Sequence, residues 1–223
     1  MTAALDFSIV NWPEMGKATL DTLRMLGASS LFSIMIGLPL GIVLFLTARS
    51  SSFWGKAVYA VLSFIVNILR SIPFIILIFA MIPITRSIVG TSIGVLGTIP
   101  PLVVGAAPFF ARLVETSLRE VDRGVLEAAQ AMGASTFQII MRVLMPEARP
   151  GLLAGITITV VTLVSYTAMS GMVGGGGLGD LAIRYGYHRY QSETMIVSIV
   201  LVVLLVQLLQ MAGDRLVRHF TRK

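Results

Sequence analysis

The chain of 223 residues has no cysteine and only two histidines. Without thiols it can form no disulfide, no thiolate nucleophile and no cysteine-ligated metal site. His188 and His219 stand 31 residues apart, and neither sits in HExxH or any other ligand spacing. No metal site is expected, and no catalytic residue is read. The single glycine run, GGGG at 174–177, is not followed by Gly-Lys-Ser/Thr, so a phosphate loop for ATP is excluded. No nucleophile elbow is read among the serines. Charge is scarce too: 13% of residues are Asp, Glu, Lys or Arg, against roughly 25% in soluble domains.

What fills the space is apolar. Hydrophobic residues make up 56% of the chain and the mean hydropathy is +0.88, which points to an all-α membrane protein without a separate soluble domain. The net charge of +6 is then read as a topology signal rather than a nucleic-acid footprint. The start, MTAALDFSIVNWPEMGK, lacks a basic region before an apolar run. No cleaved signal peptide is expected, and the first span serves as the insertion signal.

Five spans fit the roughly 20 apolar residues that cross a bilayer, at about 20–48, 54–81, 99–115, 151–170 and 194–212. Residues 1–18 are read as an outer N-terminal segment, 19–213 as the membrane domain and 214–223 as a basic tail. Asn11-Trp12-Pro13-Glu14 has the makings of a helix start: a cap, a proline for the first turn and an acid three residues after the cap. Ser33, Gly37 and Gly41 recur every four residues, as do Gly151 and Gly155, and such small-residue stripes let helix backbones approach. Pro39 and Pro108 are expected to bend their spans. The stretch from Pro83 to Thr98 reads as a turn-rich connection, with Pro100 and Pro101 marking the start of the third span.

Arg70 lies inside the second expected span. A charge at the bilayer centre costs about 2.5–3.5 kcal/mol, so it should face protein or water and have a partner. Two readings stand side by side: a residue on a transport path, or an arginine that locks the bundle by bonding backbone carbonyls, one of which Pro73 sets free. Four consecutive glycines make a poor helix and belong at an interface or a water-filled cavity. Met169 and Met172 flank their entrance, with Ser165 and Tyr166 one turn earlier. Methionine suits a gate or a contact with a thioether; ordinary packing is the plainer reading, since the chain has 12 methionines.

The polar stretch from Arg112 to Pro150 interrupts the apolar segments and holds EAAQAMGAS at 127–135. Leu126 to Met132 is expected as a short helix ended by Gly133, with Glu127 near its start, where the dipole favours an acid. Ser135 and Gln138 form a capping box for a second helix towards Leu144. Phe137, Ile139, Ile140 and Val143 are too apolar for a free loop, which suits a surface that seats a partner. The 49–56 loop, this loop and the tail carry eleven Lys and Arg, including Arg112, Arg222 and Lys223, against five on the other side. The loop and C-terminus are therefore expected in the cytoplasm, and the N-terminus outside.

Glu127, Ala128 and Ala129, then Gly133 after three residues, then Val143-Leu144-Met145-Pro146 after nine more, resemble the signature loop of ABC importer permeases. The stretches NILRSIPFIIL, MIPITRSIVGTSIG, AAPFFARLVE, GMVGGGGLGDLAIRYGY and AGDRLVR are similar to the methionine importers within that family. The resemblance implies a type I permease fold, a non-catalytic subunit, a homodimer in a bacterial inner membrane, and contact with lipid. It implies two copies of an ATPase subunit that carry ATP and Mg, none being bound by this chain, and an external methionine-binding lipoprotein. It implies transport of L- and D-methionine and some derivatives, and a coupling loop at 116–150 built on Glu127, Ala128, Ala129, Gly133, Ala134, Ser135 and Pro146. No nucleic-acid partner is expected. A permease for another amino acid or a quaternary amine is the near alternative. A secondary transporter, independent of ATP, would want several buried ionisable groups, where the sequence offers Arg70 alone.

Overall fold

The computed structural model describes residues 6–221; residues 1–5, Arg222 and Lys223, counted above in the end segments, lie outside the described residues. Among these residues every regular element is helical. Five helices are long and apolar enough to cross a membrane: α1 (Trp12–Ala48), α2 (Phe53–Ser71), α5 (Gly94–Arg119), α9 (Arg149–Ser170) and α11 (Ser192–Thr221). Between them lie α3 (Phe74–Ala80), α4 (Ile82–Val89), α6 (Arg123–Ala131), α7 (Thr136–Ile139), α8 (Met145–Glu147) and α10 (Gly177–Leu181).

Helix α1 starts where expected. The Asn11 side chain accepts from the Glu14 amide at 3.2 Å and Pro13 occupies the first turn. Its opening turns, however, do not form a separate outer segment: Met15 and Ala18 are buried against Leu178 and Leu181. Helix α11 likewise runs on to Thr221, through the residues read as a tail.

Lipid tails are as apolar as leucine, so close packing has to hold the helices together, and small residues provide it. Ser33, Gly37 and Gly41 are all buried along α5. A Cβ on Gly37 would stand 2.8 Å from the Ala107 carbonyl oxygen, and one on Gly41 would stand 2.6 Å from that of Ala111. Gly151 and Gly155 bring α9 onto the other side of α5, near Ser117 and Leu113. Helix α5 is thus wedged between α1 and α9, with α2 on a third side and α11 outside α9.

Two expectations fail in the second and third spans. The 54–81 segment is broken at Ile72-Pro73 into α2 and α3, since proline disfavours the helical conformation in the residue before it. The 83–98 connection contains all but the first residue of α4, and α5 begins at Gly94, two turns before Pro100 and Pro101, which lie within the helix. Tertiary contacts hold those early turns. The Gly94 amide donates to the Gly174 carbonyl at 2.9 Å, and the Thr98 hydroxyl donates to the Val95 carbonyl at 2.9 Å and lies 3.0 Å from Met25 Sδ.

The glycine run turns the chain back into the bundle. Gly174, Gly176 and Gly177 have φ between 73 and 81°, the left-handed region open to glycine. Gly177 then opens α10, whose Leu178 amide donates to Thr22 Oγ1 at 2.9 Å. The N-terminal end of α1, α10 and the start of α11 thus gather at one end of the molecule. The C-terminal parts of α1 and α5, the α6–α8 segment and the start of α9 gather at the other.

Candidate functional site

Three residues after α5 ends, Asp122 caps α6 by accepting from the amides of Gly124 and Val125 at 2.7 and 3.3 Å. The helix begins at Arg123, three residues before the expected start, so Glu127 stands in its second turn and Asp122 is the acid at its N-terminus. Leu126 is buried with Leu118, Val121, Leu144 and Ala148, and this anchors α6 to the end of the bundle. Gly133 ends the helix at φ +77°. Its amide donates to the Gln130 carbonyl at 2.9 Å and that of Ala134 to the Ala129 carbonyl at 3.1 Å, the Schellman pair of bonds. The capping box at Ser135 is complete: the Gln138 amide donates to Ser135 Oγ at 3.3 Å, and the Ser135 amide to Gln138 Oε1 at 2.8 Å. A wide π turn over Ile140–Leu144 follows α7 and leads into α8, with Pro146 in its first turn.

Glu127, Ala128, Gly133 and Ser135 face outward, Ala129 is buried, and Ala134 and Pro146 are half-buried. The apolar surface differs from expectation. Ile139, Ile140 and Val143 pack inward against the cluster around Leu144, because the second helix lies along the bundle rather than apart from it. Phe137 remains outside, 70% exposed, together with Met132 at 82% and Met141 at 53%. Three large apolar side chains thus stand exposed on a short, doubly capped segment among the described residues.

The second group lies where α2, α3, α5 and α9 meet. A cleft of about 240 Å³ is lined by Arg70, Ile72, Phe74, Gly105, Phe109 and Tyr166, among others. Tyr166 stacks on Phe74 with ring centroids 4.3 Å apart. Arg70 is exposed in the last turn of α2, its guanidinium 5.8 Å from the Phe109 ring centroid. The expectation that it bonds backbone carbonyls from mid-span fails, because α2 ends one residue beyond it and the chain turns at Pro73. Of the residues expected on a path, the structure brings Arg70 and Tyr166 together. Ser165 is exposed, Met169 packs against the core around Leu77 and Leu163, and Met172 is exposed on the turn after α9.

Sequence reading missed Glu115, which is 2% exposed inside α5. It pairs with Arg112 one turn before and Arg119 one turn after. Arg112 therefore belongs to the bundle, not to the polar loop, and the span does not end at Glu115. Spacings of three and four residues put the three charges on one helix face, a signal present in the sequence. Among the described residues no group of three His, Asp or Glu side chains is placed to hold a metal ion.

The model of the family described as binding-protein-dependent transport system inner membrane component matches residues 34–223. The chain belongs to that family. The permease is 53% identical to the D-methionine transport system permease protein MetI of Escherichia coli (strain K12), over 91% of this chain and 94% of that protein. It is 47% identical to the methionine import system permease protein MetP of Bacillus subtilis (strain 168), over 93% and 94%. A chain of the MetNI methionine ABC transporter, solved in inward-facing conformations, superimposes with a TM-score of 0.91 at 51% identity, covering 95% of this permease and 98% of that chain. An amino acid ABC transporter crystallised with histidines shares the fold at a TM-score of 0.71 and 20% identity. The all-helical architecture is that of a type I ABC importer permease.

Proposed function

We propose that the chain is the membrane permease subunit of an ATP-driven importer that carries methionine, in both enantiomers, across a bacterial inner membrane. The 53% identity to a methionine permease over nine-tenths of the chain carries this reading. The chain does no covalent chemistry. ATP and Mg are held by a partner ATPase, an external lipoprotein delivers methionine, and two copies of this chain face each other around the path.

The α6–α8 segment is the part that meets the ATPase. Met132, Phe137 and Met141 supply an apolar anchor, while Glu127 and Ala128 present a charge and a small face beside it. Asp122, Gly133 and Ser135 hold the segment rigid, and Leu126 seats it under α5. A push on the segment therefore reaches α5 directly. The excess of Lys and Arg at this end supports its placement in the cytoplasm. At the other end of the motion, Arg70 and Tyr166 line the cleft where the path opens and closes.

The full complex in proteoliposomes is expected to take up labelled methionine only with internal ATP and the binding protein. Uptake that ignores ATP would refute the reading. Replacing Gly133 by Val forces a β-branched residue to φ +77°, a strain of about 1–3 kcal/mol. Co-purification is expected to show the ATPase largely lost from a G133V and Glu127→Lys double variant. Its retention at the wild-type level would remove the docking role.

A further inference from the structure

The Glu115 cluster does more than neutralise itself, because it reaches across to α2. Tyr59 donates to Glu115 Oε1 at 3.3 Å and receives a bond from Arg119 at 3.1 Å. Arg112 donates to the Ser63 hydroxyl, to the Ser63 carbonyl at 3.2 Å and to Asn67 Oδ1 at 3.0 Å. Tyr59, Ser63 and Asn67 are four residues apart, so they form one stripe along α2. Arg70, three residues further, continues it and reaches Phe109, three residues before Arg112 on α5. A polar seam therefore runs between α2 and α5 from Arg119, beside the α6–α8 segment, to Asn67, and the contact of Arg70 with the Phe109 ring carries it on into the cleft. Its central carboxylate is 2% exposed and bonded on both sides. Apart from this seam α2 is held by one apolar patch, where Val66, its sole fully buried residue among those described, packs with Leu44 of α1 and Ala111 of α5.

We propose that Glu115 is a positioning residue for transport: the seam it anchors makes α2 and α5 move as one body, so displacement of the α6–α8 segment is delivered to Arg70. A buried ion pair of this kind is weak evidence for stability in itself, which leaves its placement to be explained. Placed here, between a segment that is pushed and a helix end that lines the cleft, it prevents α5 from sliding past α2. Hydrocarbon packing alone would permit that sliding, since lipid replaces a lost apolar neighbour at little cost. This inference rests on the transport reading above.

The test uses the complete importer in proteoliposomes and reads methionine taken up per ATP hydrolysed, together with the amount of ATPase held by the permease. Glu115→Gln is expected to retain the ATPase and at least half of its hydrolysis, while uptake per ATP falls at least fivefold. Tyr59→Phe, which removes one link to α2 and leaves both arginine pairs, is expected to lower the ratio about twofold. Glu115→Asp, which restores the charge, should recover more than half of the wild-type ratio. Wild-type ratios in the assembled Glu115→Gln and Tyr59→Phe complexes would overturn the proposal and leave Glu115 a static ion pair. If Glu115→Gln does not assemble, Tyr59→Phe decides alone, and an unchanged ratio there overturns it. A wild-type complex without ATP-driven methionine uptake would instead bring down the transport reading and not the seam.

Discussion

Helix α11 is more apolar than α5 by mean hydropathy, yet only 6% of its most apolar stretch is buried within the chain, against 56% for α5. Helix α5 carries Arg112, Glu115, Arg119 and three prolines. In a soluble protein the ranking would be reversed. Here the solvent is hydrocarbon, so apolar surface gains little from burial and can face lipid, while charge and broken backbone must go inside. Helix α11 buries Thr194, Ser198 and Gly213, none of them a large apolar residue. In α11 burial follows small and polar residues, and hydropathy identifies the spans without saying which one is central.

The contrast can be broken most forcefully at Gly41. A leucine there places its Cβ 2.6 Å from both the Ala111 carbonyl and Val114, and helix backbones rather than side chains have to give way. The cost is expected to exceed about 3 kcal/mol, beyond the usual range for overpacking, and to appear as loss of the folded protein on size-exclusion chromatography. Phe110→Ala, at a residue 1% exposed in α5, comes next. Soluble cores lose about 3–5 kcal/mol to such a truncation as transfer plus cavity; lipid removes most of the transfer part, which leaves about 1–3 kcal/mol. The matched change in α11, Leu208→Ala at 61% exposure, is expected to stay within about 0.5 kcal/mol. Thermal unfolding of the two variants side by side measures the difference, and equal shifts would end the comparison.

Gly213 sharpens the same point within α11, since a Cβ there would meet Thr157 Oγ1 at 2.2 Å. Gly213→Leu should cost about 1 kcal/mol, more than Leu208→Ala although it adds apolar surface. Outside the membrane the expected effect is local. Ser135→Ala removes one half of a capping box, worth about 0.5–1 kcal/mol. It should leave the melting temperature within a few degrees while faster proteolysis between Gly133 and Leu144 reports local fraying.

Much of this was readable from residue order. The five spans, the Ser33-Gly37-Gly41 stripe, the Gly133 stop and the Ser135 cap are local features whose meaning depends on neighbours within a few positions. Helix α4 and the early start of α5 were hidden because Pro100 and Pro101 are strong start signals. What overrides them is a bond from Gly94 to Gly174, 80 positions away. Glu115 was half readable. Its two arginines are spaced for pairing along one helix, whereas its link to Tyr59 needs the packing of α2. Arg70 falls deep in the expected 54–81 span because the apolar run continues past Pro73, which in the structure is the break between two helices. For the α6–α8 segment, the caps are legible in residue order, but which of its apolar side chains face out is not.

The π turn at Ile140–Leu144 fits five residues where four would ordinarily close a helical turn. It lets Leu144 point inward while Met141 stays outside. Loss of one codon anywhere in this stretch would let the backbone relax into ordinary helix, so the deletion would be locally harmless. Because the turn would then close with one residue fewer, Phe137 before it and Pro146 after it would keep nearly the same relation to each other. The turn is one residue of slack, and its removal would leave Phe137 on the side of the segment where it now stands.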